Sequence, residues 1–244
     1  MNIGVVFAGG TGTRMHSKDK PKQFLSIYGK PVIIHTLEHF ENCSDIDSVV
    51  ISCIKEWIPY LQGLIFQYRI QKVKRIVPGG ETGQLSIYNA LVAAEDIVKE
   101  SGDTKRSIAL IHDGVRPLIS PELLTQNIEC VKKFGSAITT GVVKETIVVV
   151  SRQEEIDSIP NRSDCRVAKA PESFWLDEIL SAERQAIAEG NTSAYDSCCL
   201  MSQYGYKLHM IEGPIENIKI TTPDDIYVMR AHLEKKENAQ LYGF

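Results

Sequence analysis

The sequence predicts an α/β fold: a mostly parallel sheet with helices on both faces and a protruding β-arm. Short apolar runs alternate repeatedly with longer amphipathic patterns, and the first apolar run ends in a glycine-rich turn. The length of 244 residues is also sufficient to bury a sizeable core. We therefore expect a single domain over residues 1–244, with the arm at about 144–164.

The predicted elements follow from periodicity. A continuous apolar run is typical of a strand buried on both faces, whereas apolar residues three and four positions apart indicate a helix. The predicted strands are Ile3–Phe7, Ser48–Ile54, Arg75–Val77, Ile108–His112, Ala137–Val143 and one near Leu208–Ile211. The predicted helices are Pro31–Phe40, Trp57–Tyr68, Leu85–Val98, Pro121 to about Phe134, Phe174–Ile187 and Asp224–Leu233. The stretch Thr146–Ile159 is rich in β-formers but polar at its centre, which predicts the protruding hairpin.

The composition excludes several classes of function. A net charge of −4 argues against a general binder of nucleic acid or of a membrane surface, so local basic groups must hold any anionic ligand. No apolar run approaches the ~20 residues of a membrane span. The six cysteines form no CxxC pair, which argues against a zinc site and favours reduced thiols. With no sign of a secretory leader, we expect a cytoplasmic protein.

The first candidate site is the glycine-rich segment after the first strand. Gly9, Gly10 and Gly12 lack a Cβ atom, so the backbone there can turn tightly and direct N–H groups at phosphate oxygens. Arg14 can add forked hydrogen bonds, and Lys22 a point charge. The alternative is an ordinary strand-to-helix turn with surface cations. The arginine together with the Pro-Lys-Gln that follows favours a triphosphate site.

Two commoner nucleotide motifs do not fit this segment. It contains no GxxxxGK[ST], so it is not a P-loop. A dinucleotide fold requires a third glycine where this chain has Met15, and Arg14 fills space that should be empty. A dehydrogenase is therefore disfavoured.

A second candidate site is His112–Pro117, at the end of a buried strand. There Asp113 could hold Mg²⁺ against a triphosphate, because Mg²⁺ sites use one or two carboxylates together with substrate phosphates. The alternative is an aspartate that caps the next turn and pairs with Arg116. A third site is Glu216–Asp225, where Lys219 alternates with two isoleucines and would point away from them into a cleft. Its alternative is an exposed strand lysine.

In this order and spacing, the three segments resemble the cytidylyltransferases that activate methylerythritol 4-phosphate or ribitol 5-phosphate. The resemblance covers nearly the whole chain. It implies a Rossmann-like sheet, CTP as substrate, Mg²⁺ as cofactor and a homodimer formed through an exchanged β-arm. The implied reaction joins CMP to a polyol phosphate and releases pyrophosphate.

The resemblance also implies roles for individual residues. Arg14, Lys22 and Lys219 would be catalytic, and Asp113 would bind Mg²⁺. Thr146, Arg162, Lys219 and Arg116 would bind the polyol phosphate, with Thr146 and Arg162 reaching in from the partner's arm. The nucleotide would lie against Ala8, Gly9, Gly10, Gly12, Thr13, Gly80, Glu81 and Ser86.

Three departures from the family pattern leave the acceptor open. Gly83 stands where the family often has arginine, Ala170-Pro171-Glu172 replaces Thr-Pro-Gln, and Ala194–Cys198 replaces Thr-Asp-Asp-Ala-Ser. Val115, Val148 and the stretch Ile159–Arg162 look more like the ribitol phosphate enzymes.

Several alternatives remain at this point. The acceptor could be methylerythritol 4-phosphate or another alditol phosphate of wall or capsule synthesis. A nucleotidyltransferase acting on a sugar 1-phosphate and a non-catalytic regulatory homologue are the rivals from other classes.

Overall fold

A seven-stranded sheet forms the centre of the computed structural model, which describes residues 1–10 and 20–242. The strands of this described part are β1 (Asn2–Ala8), β2 (Ser26–Ile27), β3 (Lys30–Pro31), β4 (Ser48–Cys53), β5 (Val73–Pro78), β6 (Ile108–Asp113), β7 (Ser136–Val142), β8 (Val149–Val150), β9 (Ile156–Ser158), β10 (Arg166–Trp175) and β11 (Met210–Glu212). The large sheet has the order β11-β7-β10-β6-β1-β4-β5. All of its neighbouring pairs are parallel except those of β10, which runs antiparallel to both β6 and β7. The prediction of a mostly parallel sheet is confirmed.

Helices cover both faces of this sheet, as predicted. The α-helices are α1 (Val32–Asn42), α2 (Ile58–Gln67), α3 (Gly83–Ser101), α4 (Pro121–Phe134), α5 (Leu176–Ala188), α6 (Ser197–Gln203) and α7 (Pro223–Tyr242). One apolar cluster holds residues of α1, α2 and α4, and the other holds residues of α3, α5 and α6. Successive strand residues alternate between the clusters: Leu110 joins the first, and Ala109 and Ile111 join the second.

The ends of α3 and α4 are fixed by their sequences. Thr82 accepts a hydrogen bond from the Leu85 N–H at the start of α3, and Ser120 accepts one from the Leu123 N–H at the start of α4. Both helices end at a glycine with a positive φ, Gly102 at 67° and Gly135 at 90°. These signals explain why the prediction for α4 coincides with the structure at both ends.

The prediction was wrong for the region after residue 165. The chain forms the long strand β10 there, so Phe174 and Trp175 end a strand instead of beginning a helix, and α5 starts at Leu176. The proline inside β10 conceals the strand, because proline is rare in paired strands. The pairing of β10 with β7 shifts register between Ala168 and Glu172, and Pro171 lies within this irregular stretch. The short helix α6 was also not predicted.

The predicted hairpin is present, although its paired strands are shorter than the predicted stretch. β8 and β9 pair antiparallel as a separate two-stranded sheet. Large apolar side chains on this arm are exposed, including Val150 and Ile156, both at 61%. No helix within the described ranges is long and apolar enough to cross a bilayer.

Candidate active site

Four segments meet at one edge of the large sheet. The parallel strands β1 and β6 end there, at Ala8 and Asp113. Because β10 runs antiparallel to β6, with Glu172 opposite Ile111, the first half of β10 lies at this same edge. The segment that follows β11 completes the group, since the Ile220 N–H donates to the Val115 carbonyl at 2.9 Å. Open α/β sheets bind ligands at this edge.

Asp113 is the electrostatic centre of the site. Its Oδ1 accepts a hydrogen bond from Lys219 Nζ at 2.7 Å, and its Oδ2 accepts one from Arg116 Nε at 2.8 Å. Burial alone would raise the pKa of Asp113, but the charges of Lys219 and Arg116 outweigh it and hold that pKa well below its usual value. The carboxylate is therefore ionised at any physiological pH. The pairing of Asp113 with Arg116, which belonged to the alternative interpretation of this segment, is present, and Lys219 joins it.

A buried asparagine ties the segment carrying Lys219 to β10. Asn217 is fully buried, and its Nδ2 donates to the Ala170 carbonyl at 2.7 Å. The backbone carbonyl of Asn217 accepts a hydrogen bond from Arg116 Nη1 at 3.3 Å. These contacts join the segment that carries Lys219 to both β10 and Arg116, while the two cations bond to different oxygens of Asp113.

His112 is buried beside this cluster but does not carry a charge. Burial lowers its pKa to about 4, so the imidazole is neutral at pH 7. Its Nε2 lies 3.1 Å from the Arg116 carbonyl, while its Nδ1 is buried with no hydrogen-bond partner in the described part of the chain. Since neutral imidazole must donate to that carbonyl through Nε2, His112 orients the turn that carries Arg116.

The described part of the N-terminal segment lies next to Lys22 and Gln23. Gln23 is buried, and its Nε2 donates to the Ala8 carbonyl at 2.7 Å. A Cβ atom added at Gly10 would come within 4.0 Å of Lys22 Cε, so the aliphatic part of this buried lysine packs beside Gly10. The predicted residues Gly12, Thr13 and Arg14 lie outside the described residues.

The loop before α3 and the first turn of α3 contain three further predicted nucleotide-binding residues. Ser86 Oγ accepts a hydrogen bond from the Gly80 N–H at 2.9 Å and donates to the Thr82 carbonyl at 2.8 Å. Ser86 therefore shapes this loop. A Cβ atom at Gly80 would lie 2.5 Å from Leu85 Cβ, which explains the glycine. Glu81 is exposed at the surface of the same loop.

A cavity of about 180 Å³ extends from Asp113 into the protein. Arg116 and Lys219 line it, as the sequence predicted. Its wall also carries side chains to which the sequence analysis assigned no role: Gln84, Lys169, Glu172, Glu183, Asp196 and Ser197. The only sequence signal for any of these was the departure from the family pattern at Glu172 and around Asp196. Nothing in the sequence pointed to Lys169, because it lies in the strand that was not predicted.

Thr146 and Arg162 lie outside this cavity in the single chain. Both are exposed, and Arg162 Nη1 donates to the Lys144 carbonyl at 2.9 Å across the base of the arm. Neither residue belongs to the lining of the cavity. The single chain therefore brings Asp113, Arg116 and Lys219 together, but not Thr146 and Arg162.

Comparison with known proteins assigns the chain to a family. Residues 3–235 match the sequence model of the 2-C-methyl-D-erythritol 4-phosphate cytidylyltransferase family. The chain belongs to this family. The prediction of a cytidylyltransferase, and hence of a nucleotidyltransferase that uses CTP, is thereby confirmed.

Within this family, the chain is most similar among the compared relatives to proteins of the ribitol branch. It is 50% identical to the ribitol-5-phosphate cytidylyltransferase of Streptococcus agalactiae serotype V, over 100% of this chain and 99% of the relative. It is 49% identical to that of Vibrio parahaemolyticus, over 100% of both chains. The 2-C-methyl-D-erythritol 4-phosphate cytidylyltransferase of Clostridium botulinum is 33% identical, over 96% of this chain and 98% of the relative. The predicted resemblance to both branches is confirmed.

A solved structure supports the fold. The 4-diphosphocytidyl-2C-methyl-D-erythritol synthase of Anaerococcus prevotii superposes with a TM-score of 0.80 at 24% identity, covering 96% of each chain. The cytidylyltransferase of Thermus thermophilus gives a TM-score of 0.72 at 23% identity, covering 96% of this chain and 100% of the other. The Rossmann-like fold predicted from the sequence is therefore confirmed.

Proposed function

We propose that this chain transfers CMP from CTP to ribitol 5-phosphate, giving CDP-ribitol and pyrophosphate. The observation that carries the proposal is the pair of cations on Asp113, at the edge of the sheet where β1 brings the nucleotide segment. The identity of about 50% to two proteins named ribitol-5-phosphate cytidylyltransferase, over the whole chain, supports ribitol 5-phosphate as the acceptor.

The reaction is an in-line displacement at phosphorus. A phosphate oxygen of the acceptor forms a bond to the α-phosphorus of CTP, and the bond between that phosphorus and the bridging oxygen to the β-phosphate breaks. The electron pair leaves with pyrophosphate. The attacking phosphate is already ionised, so no general base is required, which fits the neutral, buried His112. Bringing two anions together is the main barrier, and fixed cations and positioning supply most of the rate.

The cations divide between the two substrates. In our proposal Lys22 and Arg14 hold the triphosphate and stabilise the charge that develops on pyrophosphate. Lys219 and Arg116 hold the acceptor phosphate near the α-phosphorus. Lys169 joins them, because it lines the same cavity, and burial together with the charge of Arg116 lowers its pKa. A concentrated positive charge of this kind is satisfied by a dianionic phosphate.

In this proposal the cytosine and ribose of CTP lie against the backbone at the end of β1 and in the loop before α3. The small residues at the end of β1 and in the loop before α3 would leave room for the cytosine and ribose. The proposed contacts are with Ala8, Gly9, Gly10, Gly12, Thr13, Gly80, Glu81 and Ser86.

Asp113 fits a role in holding Mg²⁺. Among the described residues no three His, Cys, Asp or Glu side chains lie close enough to hold a metal ion by themselves. One carboxylate combined with substrate phosphates is, however, a usual Mg²⁺ arrangement. Each Asp113 oxygen accepts one hydrogen bond and retains acceptor capacity. When bound, the ion would neutralise charge on the triphosphate.

A homodimer completes the acceptor site in this proposal. The exposed apolar side chains of the arm would be covered by a second copy of the chain, and the partner's arm would bring Thr146 and Arg162 to the acceptor phosphate. The two residues would then serve a site in the other protomer. A single domain over residues 1–244 remains a prediction, as does a cytoplasmic location, which the six free thiols support.

A pyrophosphate-release assay tests the function. CTP is paired with ribitol 5-phosphate, methylerythritol 4-phosphate, glycerol phosphates and other pentitol phosphates, and the four nucleoside triphosphates are then compared with the best acceptor. We expect the highest kcat/KM for CTP with ribitol 5-phosphate. A higher value for another acceptor would reassign the acceptor. CTP binding without turnover of any acceptor would indicate a regulatory homologue.

A further inference from the structure

The wall of the cavity beyond the cations contains buried carboxyl groups that form no ion pair with any residue the structure describes. Glu172 is 6% exposed and Glu183 is 1% exposed, and both line the cavity. Gln84 Nε2 donates to Glu183 at 2.9 Å, and its Oε1 accepts the Ala194 N–H at 2.9 Å. This polar wall differs in kind from the cationic end of the cavity around Asp113.

One carboxyl oxygen of Glu172 accepts a hydrogen bond from the backbone, and the other can bind a ligand. Its Oε2 accepts a hydrogen bond from the Cys198 N–H at 2.9 Å, in the first turn of α6. No other hydrogen bond or ion pair of this carboxyl occurs within the described residues. The groups that face it are Asp196 and Cys198 from α6 and its cap, and Asp113 and Arg116 from the end of β6. Two of these are negative, and the one positive group is already paired with Asp113.

The surroundings of Glu172 favour its neutral acid form. Burial, reinforced by the negative charge of Asp196, raises the pKa of Glu172 to about 8. A neutral carboxyl can donate one hydrogen bond and accept others, as an alcohol does. It can therefore pair with a hydroxyl group in either sense, whereas a charged carboxylate could only accept.

Ser197 provides an independent indication that this wall binds a polar ligand. Its Oγ is buried and has no hydrogen-bond partner in the described part of the chain, although the residue lines the cavity. A buried hydroxyl without a hydrogen-bond partner destabilises the folded chain. A ligand hydroxyl in the cavity would remove that destabilisation.

We propose that Glu172 and Ser197 bind hydroxyl groups on the carbon chain of the acceptor and so determine which polyol phosphate is used. The phosphate lies at the cationic end, and the carbon chain extends along the polar wall. This inference rests on the proposed function, because it assumes a polyol phosphate in this cavity. It adds the residues that discriminate between acceptors carrying the same phosphate.

A purely structural role predicts a different outcome. Glu172 could serve only to satisfy the Cys198 N–H at the start of α6. Glu172→Gln keeps an acceptor for that N–H and also offers an amide donor to the cavity, whereas Glu172→Leu removes both functions. Ser197→Ala changes a side chain that has no described partner, so it should leave the thermal midpoint within a few degrees of wild type.

The test compares the KM values of wild type and three variants for a series of acceptors. Wild type, Ser197→Ala, Glu172→Gln and Glu172→Leu are assayed with ribitol 5-phosphate and with its singly deoxygenated analogues. We expect Ser197→Ala and Glu172→Leu to raise the KM for ribitol 5-phosphate about tenfold, the effect of one lost hydrogen bond. The KM for CTP should stay within twofold. Glu172→Gln should recover most of the affinity lost in Glu172→Leu.

The analogue that lacks the contacted hydroxyl separates recognition from structure. With that analogue, Ser197→Ala should no longer raise KM, because the partner is already absent. Equal losses with every acceptor, or no change in KM in either Ser197→Ala or Glu172→Leu, would overturn the inference. If wild type turns over ribitol 5-phosphate while these variants behave like it, only the inference fails. If wild type accepts no polyol phosphate, the proposed function fails first and the inference fails with it.

Discussion

Lys219 Nζ lies 2.7 Å from Asp113 Oδ1, although the two residues are 106 positions apart in the chain. The contact joins the end of β6 to the segment that follows β11. It places a half-exposed lysine, with 38% of its side chain accessible, over a carboxylate that is 15% accessible. Lys219 is therefore oriented by the protein and yet accessible to a ligand.

Replacing Lys219 should remove activity without unfolding the protein. Lys219→Ala leaves Asp113 paired with Arg116, so no unpaired buried charge results. We expect turnover to fall on the order of 10²–10³-fold, as when a donor that stabilises transition-state charge is lost. Pyrophosphate release measures the effect, and Lys74→Ala, at an exposed lysine outside the cavity, is the matched control. Activity near wild type in folded Lys219→Ala would contradict the assigned role.

Lys22 should behave in the same way toward the other substrate. Because we assign it to the triphosphate, Lys22→Ala should also lower turnover by about 10²–10³-fold and weaken CTP binding. Calorimetry with CTP and circular dichroism distinguish loss of binding from loss of fold. Near-wild-type turnover in a folded Lys22→Ala protein would remove the basis for placing CTP at this end of the sheet.

Lys169 should affect the acceptor alone. Its proposed contact is with the acceptor phosphate, so Lys169→Ala should raise the KM for ribitol 5-phosphate about tenfold and leave the KM for CTP unchanged. Lys169→Arg keeps the charge and should retain part of the affinity. Steady-state kinetics with each substrate varied in turn measure both values. A change in the KM for CTP alone would indicate that Lys169 binds the nucleotide instead.

The proposed exchange of arms predicts complementation between inactive proteins. In a heterodimer of Lys219→Ala and Arg162→Ala chains, one site carries both defects and the other carries neither. Mixing the two inactive homodimers should therefore restore up to about a quarter of wild-type activity. Val150→Asp, at an exposed arm residue, should prevent both dimer formation and recovery, which sedimentation can follow. No recovery despite subunit exchange would show that Arg162 serves its own protomer.

Glu183 should make stability depend on pH. Burial raises its pKa in the folded chain to about 7 from an ordinary value of 4.5. A raised pKa means that the folded state holds the proton more tightly, so this contribution is complete below pH 4.5 and is lost as pH rises through 7. Urea unfolding at pH 4 and pH 8 should show that wild type loses on the order of 3 kcal/mol more than Glu183→Gln does. The surface variant Glu129→Gln should lose as much as wild type.

One half of the site could be predicted from the sequence, and the other half could not. The strands β1 and β6 are unbroken apolar runs, so both the strands and the residues at their ends, Ala8 and Asp113, could be read from the sequence. Strand β10 could not, because its proline interrupts the pattern and its first three residues are exposed. The proximity of Glu172 to Cys198, and of Asp113 to Lys219, depends on tertiary packing that no local pattern encodes. The alternation of Lys219 with two isoleucines predicted that it enters a cleft, but only the family resemblance assigned it a role in catalysis and acceptor binding.

The antiparallel direction of β10 has a consequence for how such an enzyme can diversify. In the proposed arrangement the nucleotide segments follow the parallel strands, whereas Lys169, Glu172 and Ser197 come from β10 and the start of α6. We therefore expect substitutions at positions 169, 172 and 197 to change acceptor choice while the backbone proposed to bind CTP and the hydrophobic core stay unchanged. A randomised library confined to these three positions, selected with different alditol phosphates, offers a compact route to new CDP-activated polyols.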